Sequence, residues 1–264
     1  MPSLEHLPVG APPGPSAWRG WLATFLDLVF PAMCPVCGGP LGAGRRDPLC
    51  GACWEGVERL TPPWCWTCGV PFGRFAGGEW ASADHAHRCA DCRRHPPAFS
   101  YARAAARYGG VVREALHAFK FLGRRALAGP LGDLMAEMGR LSLPVPDPDL
   151  LIPVPLHPRR ERERGFNQSL LLARRLGRAW GLPVRVDILA RTVATPPQTD
   201  LGAEERRANV RRAFALRRPE LVAGRHVILV DDIVTTGSTA GACAARLREG
   251  GAATVGVVSV ARAA

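Results

Sequence analysis

From residue 101 onward, apolar and polar positions follow two rhythms. Short β-branched or apolar runs recur at 101–108, 150–154, 184–189, 213–216, 226–230 and 254–260, each the length of a strand. Between them, apolar residues return every third or fourth position over 110–122, 125–141 and 167–180, which predicts helices. Gly181 stops the last of these, with Pro183 just beyond it. The stretch 204–210 reads as a short helix, after a polar loop over 195–202. Strand alternating with helix predicts an α/β fold in which a parallel sheet is covered on both faces. Ligands then sit at the carboxyl ends of the strands.

Upstream of residue 96 the pattern is different. Residues 1–18 form a tail rich in Pro and Gly, expected to be disordered. Eight of the nine cysteines fall in four C-x-x-C pairs: Cys34/Cys37, Cys50/Cys53, Cys65/Cys68 and Cys89/Cys92. Two such knuckles make one tetrahedral thiolate site, so four predict two Zn2+ ions, both structural because protein fills every ligand position. Residues 19–30 have helix-like apolar spacing through Trp21, Leu22, Phe25, Leu28 and Val29, and should dock on this zinc module. Sequential pairing of the knuckles needs the least loop closure, and interleaved pairing is compatible with the same spacing. His85 and His87 lie close to Cys89 but are superfluous as ligands, and Cys243 reads as a small core residue. Trp54, Trp64 and Trp66 lie between the knuckles, where packing a tiny zinc core outweighs stacking on nucleobases. The division expected is a tail over 1–18, a zinc module over 19–95 and an α/β domain over 96–264.

Composition adds charge. The chain has 34 basic and 23 acidic residues, a net +11, and Lys120 is its only lysine. Arginine in this abundance reflects a GC-rich coding bias, and it also suits bidentate contacts to phosphate-rich partners. No run of eighteen apolar residues occurs, and the start lacks a positive n-region, so neither a spanning helix nor a signal peptide is expected. This implies a cytoplasmic setting with reduced thiols, which favours zinc over disulfides at the knuckles.

The candidate chemistry centres on 227–239, Val-Ile-Leu-Val-Asp-Asp-Ile-Val-Thr-Thr-Gly-Ser-Thr. A buried strand leads to Asp231 and Asp232 at its end. Thr235, Thr236, Gly237, Ser238 and Thr239 then bend the chain into a helix beginning near Ala240. Such a bend offers backbone N–H groups, hydroxyls and a helix N-terminus to one phosphate, with the acids at a sugar's distance. Capping alone needs fewer hydroxyls and no acid pair. No G-x-x-x-x-G-K-[ST] and no G-x-G-x-x-G after a strand is present, which argues against the common nucleotide loops. The turn after 150–154 carries Leu156, His157 and Arg159, then Arg160, Arg162 and Arg164. It could present N–H groups and charge to a pyrophosphate, although Glu161 and Glu163 offset part of that charge. Residues 191–209 read as a flap able to close over substrate.

The 227–239 segment resembles the phosphoribosyl-pyrophosphate (PRPP) loop of type I phosphoribosyltransferases. Taken with the four knuckles, the chain resembles the ComF family from about Leu28 to Arg262. The resemblance is carried by His117-Ala-Phe-Lys-Phe-Leu-Gly123, Val154-Pro-Leu-His-Pro158, Arg164-Gly-Phe-Asn-Gln168, Thr195-Pro-Pro-Gln198, Arg206-Arg-Ala-Asn-Val210 and the segment ending Thr236-Gly-Ser-Thr239. It implies a parallel-sheet, type I phosphoribosyltransferase-like domain behind a double zinc ribbon. It also implies Asp231 and Asp232 on ribose, 235–239 on the 5′-phosphate, and the turn around Leu156–Arg159 on pyrophosphate with Mg2+ bridging. The family is associated with natural transformation, so single-stranded DNA and the DNA-uptake machinery are implied partners. A nucleotide-forming transferase and a non-catalytic PRPP sensor are the alternatives.

Overall fold

A computed structural model describes residues 32–41, 47–72, 87–138, 143–144, 147–193 and 212–263. The expected tail over 1–18, the helix over 19–30, the loop over 195–202 and the helix over 204–210 lie outside the described residues, as does His85.

In chain order the elements are α1 (Gly51–Glu55), α2 (Ala90–Arg94), β1 (Tyr101–Arg107), α3 (Gly110–Phe121), α4 (Ala128–Glu137), β2 (Leu150–Pro153), α5 (Pro158–Arg164) and α6 (Gln168–Trp180). They continue with β3 (Leu189–Arg191), β4 (Phe214–Leu216), β5 (His226–Val234), α7 (Ser238–Glu249) and β6 (Thr254–Arg262). Four strands form a wholly parallel sheet in the order β1-β6-β5-β2, with Val230 opposite Val258 on one side and Pro153 on the other. Strand side chains alternate between faces. Ile228 and Val230 pack with Leu116 and Phe119 of α3, Leu131 and Leu134 of α4, and Leu172 and Leu176 of α6. Val227 and Leu229 pack on the other face with Ala244 and Leu247 of α7. Burial on both faces explains why these strands read as continuous apolar runs.

Four expectations are corrected. β5 does not end at Val230 but runs on to Val234, because β6 continues to pair with it as far as Val234↔Arg262. The apolar run 184–189 is not one strand: Val184 makes a lone parallel bridge to Leu151, and the chain bends before β3. β3 and β4 then form a separate antiparallel pair outside the main sheet. The helix expected over 125–141 begins as a 3-10 turn at Arg125–Leu127 before α4 takes over, with Pro130 in its first turn where no N–H is needed. Finally, the basic turn after β2 is largely helical. His157 Nδ1 accepts the N–H of Arg159 at 3.2 Å, Arg159 pairs with Glu163 one turn on at 2.9 Å, and Gly165 closes α5 in the left-handed region. Residues 158–163 make an exposed helix surface, and Arg164 at its end is part-buried, donating to Gln168 at 2.6 Å.

The cysteine module is bonded directly to the sheet. β1 would be an open edge, but Arg107 donates its N–H to the Glu58 carbonyl (2.9 Å), Leu60 donates to Ala105 (3.0 Å), and Ala102 donates to Thr67 (2.6 Å). Gly69, in the turn of the third knuckle, has φ of 68°, and a Cβ there would stand 2.5 Å from the Ala102 carbonyl oxygen. Only glycine permits so close an approach.

Candidate functional site

At the carboxyl end of the sheet, β2 stops short of β5. The last bond between them runs from the Val154 N–H to the Val230 carbonyl at 3.0 Å, so Asp231 is the first residue of β5 free of that neighbour. A cavity of about 60 Å³ opens there, lined by Asp231, Ile233, Val234 and residues 235–240. That volume holds a few waters, the scale of one phosphate group and less than a nucleotide. Gly237, with φ of 77°, is the N-cap of α7 and provides no side-chain cap. In the first turn of this twelve-residue helix the Ser238 N–H donates to Thr236 Oγ1 at 3.4 Å, and the next N–H groups are open to a ligand or to water. Thr236 Oγ1 and Ser238 Oγ lie 2.8 Å apart at the rim. Phe99 supports the turn from beneath, its ring 3.4 Å from where a Cβ on Gly237 would stand.

The paired acids are in place but do not share one direction. Alternation along β5 puts Asp231 on the α7 face, in the cavity, and Asp232 on the α3 face. Asp231 is buried. Its Oδ1 accepts the Ser169 hydroxyl at 3.0 Å and the Asp232 N–H at 2.9 Å. Burial first, then the neighbouring Asp232 carboxylate, push its acid up to about 8, with Lys120 pulling the other way. Asp232 pairs with Lys120 Nζ; the Lys120 side chain is 19% exposed and that of Asp232 is 5% exposed. Two arginines stand close enough to interact electrostatically with these acids. Burial lowers Arg164, and Asp232 opposes the shift. Burial and then Arg160 lower Arg191, with Asp231 opposing. The buried acid pair thus has Lys120 against Asp232, with Arg164 and Arg191 close enough to interact with Asp232 and Asp231 respectively.

Of the residues picked from sequence, Asp231, Thr235, Thr236, Gly237, Ser238 and Thr239 meet in this one cavity. Leu156, His157 and Arg159 lie at the end of the adjacent strand β2 and do not line it. Sequence patterns assigned no role to Lys120 or Ser169, although Lys120 is the lone lysine inside the His117–Gly123 motif.

The cysteines resolve into two tetrads, Cys34/Cys37/Cys50/Cys53 and Cys65/Cys68/Cys89/Cys92, which is the sequential pairing. A tetrahedral ion with Zn–S of about 2.3 Å requires sulfurs about 3.8 Å apart. The observed separations are 3.7 Å for Cys34–Cys53, 3.6 Å for Cys37–Cys50 and 3.7 Å for Cys68–Cys89. Each tetrad therefore fits one zinc with no position left open, so the metal would supply cross-linking and no chemistry. The tryptophans serve packing. Trp54 Nε1 donates to Asp47 at 2.7 Å, and Trp64 and Trp66 flank the buried Arg103 guanidinium at 5.5 Å each.

A double zinc ribbon domain family matches residues 25–93, and a phosphoribosyl transferase domain family matches residues 169–264. The DNA utilization protein YhgH of Escherichia coli O157:H7 is 36% identical over 234 residues, 87% of this chain and 96% of its own. Competence protein F of Haemophilus influenzae is 29% identical over 238 residues, 89% of this chain and 98% of its own. The chain belongs to the ComF family. A further ComF relative, competence protein ComFC of Bacillus subtilis, is 27% identical over 201 residues, 73% of this chain and 75% of its own. Among solved structures, adenine phosphoribosyltransferase from Leishmania tarentolae is similar at 17% identity and a TM-score of 0.34, over 54% of this chain and 60% of that one. No helix among the described residues is long and apolar enough to cross a membrane.

Proposed function

We propose that this ComF-family protein binds PRPP with Mg2+ and acts in natural transformation, handling imported single-stranded DNA in the cytoplasm. The cavity at the end of β5 carries the reading. A phosphate monoester fits a phosphate-sized space whose walls are a glycine turn, two rim hydroxyls and the N-terminus of a helix. With the 5′-phosphate there, the ribose lies over the tip of β5. Asp231 accepts a sugar hydroxyl directly, and Asp232 takes the second once Lys120 lets go of it. The freed ammonium then faces the pyrophosphate, joined by Arg160, Arg164 and the turn at Leu156, His157 and Arg159, while Mg2+ spreads the remaining charge. The division into a tail over 1–18, a zinc module over 19–95 and a PRPP domain over 96–264 belongs to the same proposal.

Isothermal titration with PRPP and Mg2+ tests it. A Kd in the micromolar range, about −8 kcal/mol, is expected for the native chain and should vanish in Asp232→Ala. An unchanged affinity in that variant rules the pocket out. The same samples, screened with single bases for pyrophosphate release, separate a nucleotide-forming transferase from a binding protein. The acid pair supports the transferase as second reading, since it would hold the ribose while positive charge develops at its reacting carbon. DNA handling draws support from the net charge of +11, and salt-dependent binding of single strands that persists in Asp231→Asn is the expected result.

A further inference from the structure

We propose that Arg262 couples the second cysteine tetrad to the turn at 235–239, so that metal occupancy of that tetrad sets the turn's shape. Arg262 is the last residue of β6, opposite Val234 at the end of β5, and it is buried. Its Nε donates to the carbonyl of Cys68, a ligand of the second tetrad, at 3.1 Å. Its Nη1 donates to Val234 at 3.1 Å, to Ala263 at 2.7 Å and to Thr235. One planar side chain thus holds the backbone of a metal knuckle and the first residue of the turn together.

Among the described residues, few other side chains reach across from the tetrad to the turn. Between the second tetrad and the turn lies a cavity of about 300 Å³, whose walls include Cys68, Cys92, Phe99, Thr236, Ser238 and Arg262 itself. Phe99 lies against the turn at Gly237, and among the described residues Arg262 makes the polar link across the space. A rigid guanidinium with several donors in one plane suits this task, and a flexible ammonium does not.

The charge balance fits a metal on one side of the link. Arg262 meets carbonyls and the Cys68 sulfur, and has no carboxylate partner among the described residues. Arg103, also buried, donates to the Trp66 carbonyl at 2.9 Å and to the Ala102 carbonyl at 2.7 Å, again with no acid. Two buried cations without acids call for a nearby anion. Four thiolates around one zinc carry net negative charge and supply it. Losing the metal, with the freed thiolates taking up protons, would remove that counter-charge and loosen the knuckle from which Arg262 reaches the turn.

The functional half of this inference rests on reading 235–239 as the phosphate site, and its test keeps the two apart. Hydrogen exchange of peptides covering 232–241 is measured in the full chain with zinc bound, in Arg262→Lys, in Arg262→Gln, and in Cys65→Ser against Cys34→Ser. Faster exchange by about tenfold is expected in Arg262→Lys and Cys65→Ser, with Cys34→Ser near native. Because coupling between binding equilibria is reciprocal, PRPP with Mg2+ should raise the zinc affinity of one tetrad of the native chain, read by competition with a chelator at equilibrium, and leave the other unaffected. This second measurement needs no variant to fold. Native-like exchange in Arg262→Lys, or equal responses of the two tetrads, overturns the coupling even if PRPP binds. A native chain that ignores PRPP while its turn still follows Arg262 refutes the phosphate reading and leaves the coupling standing.

Discussion

Replacing Lys120 by Met isolates the ion pair at the heart of the site. The substitution keeps the unbranched stem and removes the ammonium, leaving Asp232 with a side chain 5% exposed and no cation against it. Removing one member of a buried pair costs about 3–5 kcal/mol, because the remaining charge stays out of water. For a chain of this length each kcal/mol moves the midpoint by about 2–4 °C, so Tm should fall by about 6–20 °C. The loss should also depend on pH. Asp231 already has its acid raised to about 8, and Lys120 is the cation that restrains the rise. An acid raised in the fold contributes stability that is present below its ordinary value and disappears as pH climbs through the folded one. Without Lys120 that rise is larger, so the deficit should be smaller at pH 5 than at pH 8. Thermal melts of native chain, Lys120→Met, Asp232→Asn and the double variant at both pH values provide the assay. Coupling between the two positions of about 2 kcal/mol or more is expected. Strictly additive losses, or a deficit identical at pH 5 and pH 8, would refute the reasoning.

Three further outcomes are expected. Asp231→Asn keeps an Oδ1 acceptor for Ser169 and the Asp232 N–H but has nothing to ionise. It should match the native chain near pH 4 and become progressively more stable than it toward pH 8, as urea titrations would show, while losing PRPP. Metal analysis should find two zinc ions per native chain and one in Cys65→Ser, with the first tetrad still loaded. Gly69→Ala combines a left-handed backbone with a Cβ 2.5 Å from the Ala102 carbonyl oxygen and should cost about 2–4 kcal/mol in denaturant unfolding.

The cysteine tetrads were legible from residues 34–92 because ligand spacing within a knuckle is local chemistry, and sequential closure is the shortest route. The turn at 235–239 was legible for the same reason: glycine, hydroxyls and helix start are neighbours in the chain. What escaped depends on contacts distant in sequence. Ser169 reaches Asp231 across 62 residues, and Arg262 reaches Cys68 across 194. Neither partner marks the other in a one-dimensional pattern. Carboxylates at 231 and 232 suggested the end of a strand, but pairing with β6 carries the backbone onward to Val234. Arginines at 159–164 suggested an anion-binding turn, but Pro158, the His157 cap and the Glu163 partner make that run a helix first.

The bonds from Glu58, Leu60 and Thr67 to β1 bear on how such a molecule can be divided. Severed near residue 96, the carboxy-terminal half would expose a bare strand rich in alanine, with N–H and carbonyl groups seeking a mate, the usual start of self-association. The amino-terminal half would lose the template that orders its 58–67 stretch. A cut at that point therefore unsettles both pieces at once.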